Sequence, residues 1–357
     1  MNNRLLNLGF SERFFQEAAL YPEYFLGRVV AQFKDLYRVA TGRSDVLAEI
    51  SGKVRYSSDD LSDYPAVGDF VMVDREDELH GNAIIHHLLT RKSVFARRAA
   101  GTAHEVQIVA ANIDTVFICM SLNYDFNLRR LERYLSIAWD SGALPVIVLT
   151  KSDLCEDIAT RLAEIEEVAS GVDLVVTSSM TEDGYQQVLK YITPGQTVAF
   201  MGSSGVGKST LINRLLGEDL IETMDIRKNE KGRHTTARRE LIVIPSGGAV
   251  IDTPGMRELG VESVNLVKTF TEIDELAGKC RFNDCRHENE PGCAVRGAVE
   301  EGLISEERLV SYKKLKKEAK YEELNAKQIE QEKMNEMYST FGGAKNARNY
   351  LKSRPKS

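Results

Sequence analysis

The rhythm of apolar positions changes twice along the chain. Between residues 24 and 97, short runs rich in β-branched and aromatic residues (25–33, 36–40, 46–50 and 69–73) are broken by turn residues at Gly27, Thr41-Gly42, Ser51-Gly52, Pro65 and Gly68. Short strands at that spacing predict a small all-β barrel. From residue 112 to about 254, apolar runs at 114–120 and 145–149 alternate with a helical stretch at 128–139, the signature of a parallel α/β sheet. From about 261 the pattern is helical. There Ser305 precedes Glu306 and Glu307 as an N-cap with an acidic first turn, and Leu309, Tyr312, Leu315 and Ala319 recur every three or four residues, predicting one helix with a buried stripe. The divisions this suggests are an N-terminal extension at 1–23, a barrel at 24–97, an α/β domain at 104–260, and a helical domain with a basic tail at 261–357.

Composition narrows the field. A chain of 357 residues that is 43% hydrophobic can bury two or three cores, which excludes disorder throughout and a lone small module. No apolar run approaches the roughly 18 residues of a membrane span, and the first residues lack a secretory signal pattern, so the expectation is a cytoplasmic protein with no membrane partner. A net charge of −7 argues against indiscriminate coating of nucleic acid, so any polyanion must meet local basic patches. Arg91, Lys92, Arg97 and Arg98 near the end of the barrel form one. Lys313, Lys314, Lys316, Lys317 and Lys320 on the last helix, followed by Lys345, Arg348, Lys352, Arg354 and Lys356, form another or a solvated face. The barrel aromatics Phe33, Tyr37, Tyr56 and Phe70 are read as core before base-stacking platforms. Of the cysteines, Cys119 and Cys155 stand alone, whereas Cys280, Cys285 and Cys293 crowd around His287, and in a reducing compartment such clustering favours metal over disulfide.

The candidate chemistry centres on residue 202. Gly202-Ser203-Ser204-Gly205-Val206-Gly207-Lys208-Ser209 matches G-x-x-x-x-G-K-[ST], between an apolar run at 197–201 and a helical stretch at 210–216, the context a phosphate-binding loop requires. Backbone N–H groups from Gly202 through Ser204, Gly205, Val206 and Gly207 to Thr210 would cradle phosphates, Lys208 would neutralise β/γ oxygens, and the Ser209 hydroxyl would ligate Mg²⁺. Asp252, at the end of the run 249–251 and within Asp252-Thr253-Pro254-Gly255, would hold the same cation through water while Gly255 meets the γ-phosphate. The polar segment 227–239 between them contains Thr235 and Thr236, one of which is a candidate switch ligand for Mg²⁺. Thr150-Lys151-Ser152-Asp153 resembles the guanine-reading N-K-x-D with Thr in place of Asn. Asp153 would accept from guanine N1–H and the 2-amino group, donors adenine lacks there, and Lys151 would lie along the base. Thr150 predicts weaker base contacts. Thr177-Ser178-Ser179 resembles the loop that supports the base from behind.

Base loops at 150 and 177 precede the phosphate loop at 202, the switch near 235 and D-x-x-G at 252, an order that makes this a circularly permuted GTPase. With a barrel in front and C-x₄-C-x-H-x₅-C behind, and with the stretches 232–236 (GRHTT) and 282–295 (FNDCRHENEPGCAV), the chain resembles the ribosome small-subunit-dependent GTPase A family over about residues 24–300. The resemblance implies a multi-domain fold: an N-terminal all-β OB-fold barrel, a central α/β P-loop GTPase, and a C-terminal α-helical zinc-binding domain. It implies a GTP hydrolase, acting as a monomer, that binds the 30S subunit and its 16S rRNA in late maturation and leaves after hydrolysis. It further implies Mg²⁺ with the nucleotide and one structural Zn²⁺ held by Cys280, Cys285, His287 and Cys293, a closed ligand set. Met256 stands where many GTPases carry a water-orienting Gln, and the resemblance points to His234 in its place, acting with Lys208 as the catalytic pair. Segment 1–22 has no counterpart in the resemblance. The alternative is a nucleotide-regulated protein acting on a non-ribosomal RNA; an ATP-dependent kinase is disfavoured by Asp153.

Overall fold

The computed structural model describes residues 3–322 apart from 35, 59, 78, 80, 99–105, 124, 179–182, 204, 218–239, 246 and 253–269. Ser204, His234, Thr235, Thr236, Gly255, Met256 and the basic tail therefore lie outside the described residues. Helices α1 (Asn3–Asn7) and α2 (Glu12–Ala18) precede strands β1 (Phe25–Gln32), β2 (Tyr37–Thr41) and β3 (Asp45–Ile50), helix α3 (Gly52–Ser57), and strands β4 (Phe70–Val73) and β5 (Ala83–Leu88). β1, β2 and β3 form an antiparallel meander, β5 joins β3 in parallel, and β4 pairs with both β5 and β1, which closes the barrel. Its interior is filled by β-branched and small residues such as Val29, Val39, Val46, Val71 and Ile85, as alternate inward positions of a tight barrel require. Tyr37 and Phe70 are core residues, as expected, whereas Phe33 and Tyr56 are exposed.

The segment without an assigned counterpart is part of this architecture. Leu8, Phe10 and Phe14 are buried, and the rings of Phe10 and Phe14 lie 4.6 and 3.9 Å from that of Phe70. Behind Phe70 sits Arg28, fully buried. Its guanidinium donates to the carbonyls of Leu8 (2.6 Å), Gly68 (3.1 Å) and Asn112 (3.2 Å) and to Oγ1 of Thr197 (2.8 Å), so one side chain ties leader, barrel and α/β sheet together.

A separate antiparallel ribbon, β6 (Val94–Arg98) with β7 (Val106–Ala111), leads out of the barrel. Then follow β8 (Thr115–Ser121), α4 (Leu128–Ser141), β9 (Leu144–Thr150), α5 (Ile158–Val168), β10 (Asp173–Val176), α6 (Asp183–Leu189), β11 (Thr197–Met201), α7 (Lys208–Leu216), β12 (Glu240–Val243) and β13 (Ala249–Asp252). Their order in the sheet is β10-β9-β8-β11-β13-β12, parallel except for β12. Every residue of β8 is buried, the expected state of a strand covered on both faces. β12 also meets β1 at Ala31 and Glu240, so barrel and nucleotide core share one eleven-stranded sheet. The C-terminal helices Thr271–Ala277, Ala294–Glu300 and Glu306–Glu322 surround a small core that includes Phe270, Ile273, Val295, Leu309 and Tyr312. The Ser305 hydroxyl accepts from Arg308 N–H, fulfilling its expected capping role.

Two expectations about charge change. Arg91 is not free to meet a polyanion: it grips both oxygens of Asp69 and donates to the carbonyls of Ser62 and Tyr64. Lys92 pairs with Asp114. Lys313, read as part of a solvated face, donates to the His287 carbonyl at 2.6 Å. Among the described residues, no helix is long and apolar enough to cross a membrane.

Candidate functional site

Strand β11 ends at Met201 and the chain turns out at Gly202, whose φ is +148°. A Cβ there would stand 2.3 Å from the Cys119 carbonyl oxygen on β8, so only glycine lets the loop pass so close to the neighbouring strand. Gly207, at φ +101°, N-caps α7, whose first residues are Lys208, Ser209 and Thr210. Loop and helix start thus have the backbone form that suits an anion. The Lys208 side chain is buried, and its Nζ donates to the carbonyls of Gly202 (2.7 Å) and Ser203. The ammonium is folded onto the loop it would leave for phosphate oxygens. Behind it, burial pushes the Cys119 thiol up to about 12 against the opposing charge of Lys208, so Cys119 is an inert core group.

The residues expected to read the base come to the same end of the sheet because β9 and β10 lie parallel to β8 and β11. Thr150 Oγ1 donates to the Val206 carbonyl, and Lys151, in the left-handed region at φ +56°, donates from Nζ to the Gly205 carbonyl at 2.8 Å. The loop at 150 is therefore laced to the phosphate loop by two consecutive side chains. The shorter Thr keeps a tie to the loop backbone while giving up reach toward a base. Ser178 Oγ donates to Asp153, which is itself exposed, so the carboxylate is oriented on one side and open to solvent on the other. A cavity of about 200 Å³ opens beside these groups, lined by Thr150, Lys151, Ser178, Gly207, Tyr185 and Arg214 among others. The last two carry no sequence signal. Tyr185 hydroxyl donates to the Arg214 carbonyl at 3.0 Å, and the Arg214 guanidinium lies 5.3 Å from the Tyr185 ring, joining α6 to α7. Asp252 ends β13, next to β11, at the same carboxyl end.

The second cluster lies among the C-terminal helices. Ligand atoms of Cys280, Cys285, His287 and Cys293 all fall within 4.8 Å of one another. Nδ1 of His287 is 3.6 Å from Cys280 Sγ and 3.4 Å from Cys293 Sγ, and those two sulfurs are 3.9 Å apart. A tetrahedron with zinc–sulfur bonds of about 2.3 Å has edges of about 3.8 Å, so this spacing fits a structural zinc site. His287 adopts φ +58°, a strained conformation that aims Nδ1 at the sulfurs. Burial, then Lys316 and Lys313, lower its pKa and so favour the neutral imidazole, the form that binds a cation. The Cys293 sulfur also caps the helix Ala294–Glu300, accepting from Arg296 N–H. The Glu290 carboxylate accepts from the N–H groups of Arg286 and Glu288, which pin the loop between the cysteines and hold its carboxyl down to about 2.

Comparison with known proteins places this geometry. The RsgA GTPase family model matches residues 88–262, and an ABC transporter model matches 185–351; both ranges contain the phosphate loop. The chain is 52% identical over 330 residues to the small ribosomal subunit biogenesis GTPase RsgA 2 of Lactiplantibacillus plantarum, covering 92% of each chain. It is 44% identical over 321 residues to the small ribosomal subunit biogenesis GTPase RsgA of Methanosarcina acetivorans, covering 88% of this chain and 86% of that one. Among solved structures, YjeQ from Thermotoga maritima superposes with a TM-score of 0.61 at 29% identity, over 83% of this chain and 98% of that one. YloQ, described as a circularly permuted GTPase, is alike in fold, with a TM-score of 0.59 at 24% identity over 84% and 96%.

Proposed function

This chain belongs to the RsgA GTPase family, and on that premise we propose that it binds the 30S subunit through 16S rRNA in the cytoplasm as a monomer, hydrolyses GTP there during late subunit maturation, and leaves when the phosphate is lost. The observation that carries the reading is the lacing of the base loop to the phosphate loop through Thr150 and Lys151 beside the buried Lys208, which makes one cleft for base and phosphates. In that cleft Asp153 reads guanine with Lys151 alongside, the loop from Gly202 to Thr210 cradles the phosphates, and Lys208 neutralises their β/γ oxygens. Ser209, with Thr235 or Thr236 and with Asp252 through water, would hold Mg²⁺, which supplies charge neutralisation at the phosphates when bound. Gly255 senses the γ-phosphate, and His234 orients the attacking water.

Met256 cannot orient water, so hydrolysis by the isolated protein is slow and rises when the subunit completes the site. The test is GTP turnover titrated with 30S, 50S and 70S particles. A rise of about tenfold or more, specific to 30S, is expected; a flat response, or equal responses to all three, overturns the small-subunit reading. Lys208→Ala should abolish tight nucleotide binding, whereas His234→Ala should keep binding within a few fold and lower turnover.

A further inference from the structure

Helix α4 makes contact at two places that matter. In its first turn, Arg130 donates to the hydroxyl of Ser203, the second residue of the phosphate loop, and is held by both oxygens of Asp125 at 2.9 and 3.0 Å. Two residues on, Glu132 is fully buried and accepts from Arg308 of the C-terminal helix at 2.7 Å and from Arg129 at 2.9 Å. Arg308 in turn reaches Glu272, and its guanidinium lies 5.1 Å from the Phe270 ring. The zinc-bearing module therefore grips α4 through a desolvated charge cluster. Such a cluster adds little net stability, but it fixes geometry, because moving α4 relative to Arg308 would strip a cation from a buried carboxylate. Meanwhile the carbonyl of Ser203, the residue that Arg130 holds, is an acceptor for Lys208 Nζ.

From these contacts we infer that Arg130 is a positioning residue for the phosphate loop, and that the zinc-bearing module acts on the nucleotide site through α4, with the Arg308–Glu132 pair setting where Arg130 stands. The inference rests on the nucleotide reading of the preceding subsection. Arg130 acts by fixing the Ser203 side of the loop and hence the carbonyls on which Lys208 rests before phosphates arrive. Arg308, on another module, acts by way of the helix, through Glu132.

The test is a set of double-mutant cycles on the full-length, zinc-loaded protein, read as affinity for fluorescent GDP and a slowly hydrolysed GTP analogue, with zinc content measured in each variant. Arg130→Ala should weaken both nucleotides by about tenfold, the effect of losing one charge-assisted hydrogen bond, and should raise KM while keeping the single-turnover rate. In a Ser203→Ala background the same change should have little further effect, and Arg130→Lys should recover part of the loss. Arg308→Met should weaken binding severalfold in the unaltered protein and not at all once Arg130 is Ala. Glu132→Gln, which keeps the volume, serves if Arg308→Met does not fold. Independent effects of Arg130 and Ser203 overturn the positioning role. An Arg308 or Glu132 variant that leaves affinity unchanged, or adds in full to Arg130→Ala, overturns the coupling. Failure of the unaltered protein to bind guanine nucleotides would overturn the nucleotide reading instead.

Discussion

Replacing Arg28 with Met should expose how strongly the modules are joined. The guanidinium makes four hydrogen bonds to the leader, the barrel and the α/β core and lies 4.6 Å from the Phe70 ring. Bonds from a charged donor contribute about 1.5–3 kcal/mol each, which would reach about 6–12 kcal/mol if they added. Against this stands the desolvation of a fully buried cation: burial lowers its pKa from 12.5 to about 10 although Asp114 and Asp69 oppose the change, a cost of roughly 3 kcal/mol. Methionine fills much of the volume and removes both sides of the balance, but it leaves the Leu8 and Asn112 carbonyls without this donor, while the Gly68 carbonyl keeps the Asn112 side-chain amide. With contacts in one network adding less than fully, the net loss should be about 3–5 kcal/mol. Urea unfolding followed by fluorescence of the single tryptophan, Trp139 on α4, and by far-ultraviolet circular dichroism measures it. The two signals should separate in the variant, because leader and barrel loosen before the core that carries Trp139. Arg28→Lys should recover less than half, since one ammonium cannot span four acceptors. A loss under about 1 kcal/mol, or full recovery by Lys, would refute the reasoning.

Other expectations follow from single contacts. Gly202→Ala, forced against the Cys119 carbonyl, should abolish nucleotide binding while zinc content stays at one per chain, as equilibrium binding and metal analysis would show. Asp153→Asn should shift preference from guanine toward xanthine nucleotides in competition assays, because the amide presents a donor where the carboxylate only accepts. Cys285→Ala should cost the zinc and the helical signal of residues 271–322 while nucleotide affinity changes only a few fold, since the α/β sheet has its own core. Glu290→Ala should speed zinc loss to a chelator severalfold, because two backbone donors lose the acceptor that shapes the ligand loop; an unchanged rate would show that the loop holds its form unaided.

What the sequence discloses depends on how local its cause is. The phosphate loop was legible because its glycines, lysine and flanking runs lie within about fifteen consecutive residues, and the first strands of the barrel because their turns are written in Gly and Pro. Strand β5 was not, since His86 and His87 interrupt its apolar run; their rings instead stack on Tyr24 and Tyr21. The place of segment 1–22 could not be read because Phe10 and Phe14 answer to Phe70, far along the chain. Arg91 and Lys92 looked like a basic patch because nothing adjacent shows that Asp69 and Asp114 neutralise them. Tyr185 and Arg214 line the cavity beside Thr150 and Lys151 only because α6 and α7 meet in space. In each case the missing information was a long-range partner rather than a propensity.

The order of strands also sets a timetable for synthesis. β8, β9 and β10 emerge in the order in which they pair, so that half of the core can assemble as it is made. β11 then docks on the waiting edge of β8, and β13 on β11. β1, made first among the strands, meets its partner on β12 only when Glu240 appears. Until then the growing chain carries an unpaired stretch of strand beside a nucleotide site that still lacks Asp252, and zinc cannot help to hold it, because Cys280, Cys285, His287 and Cys293 come later still. A nascent chain stalled between β10 and β12 is thus the form most exposed to wrong pairing with its neighbours.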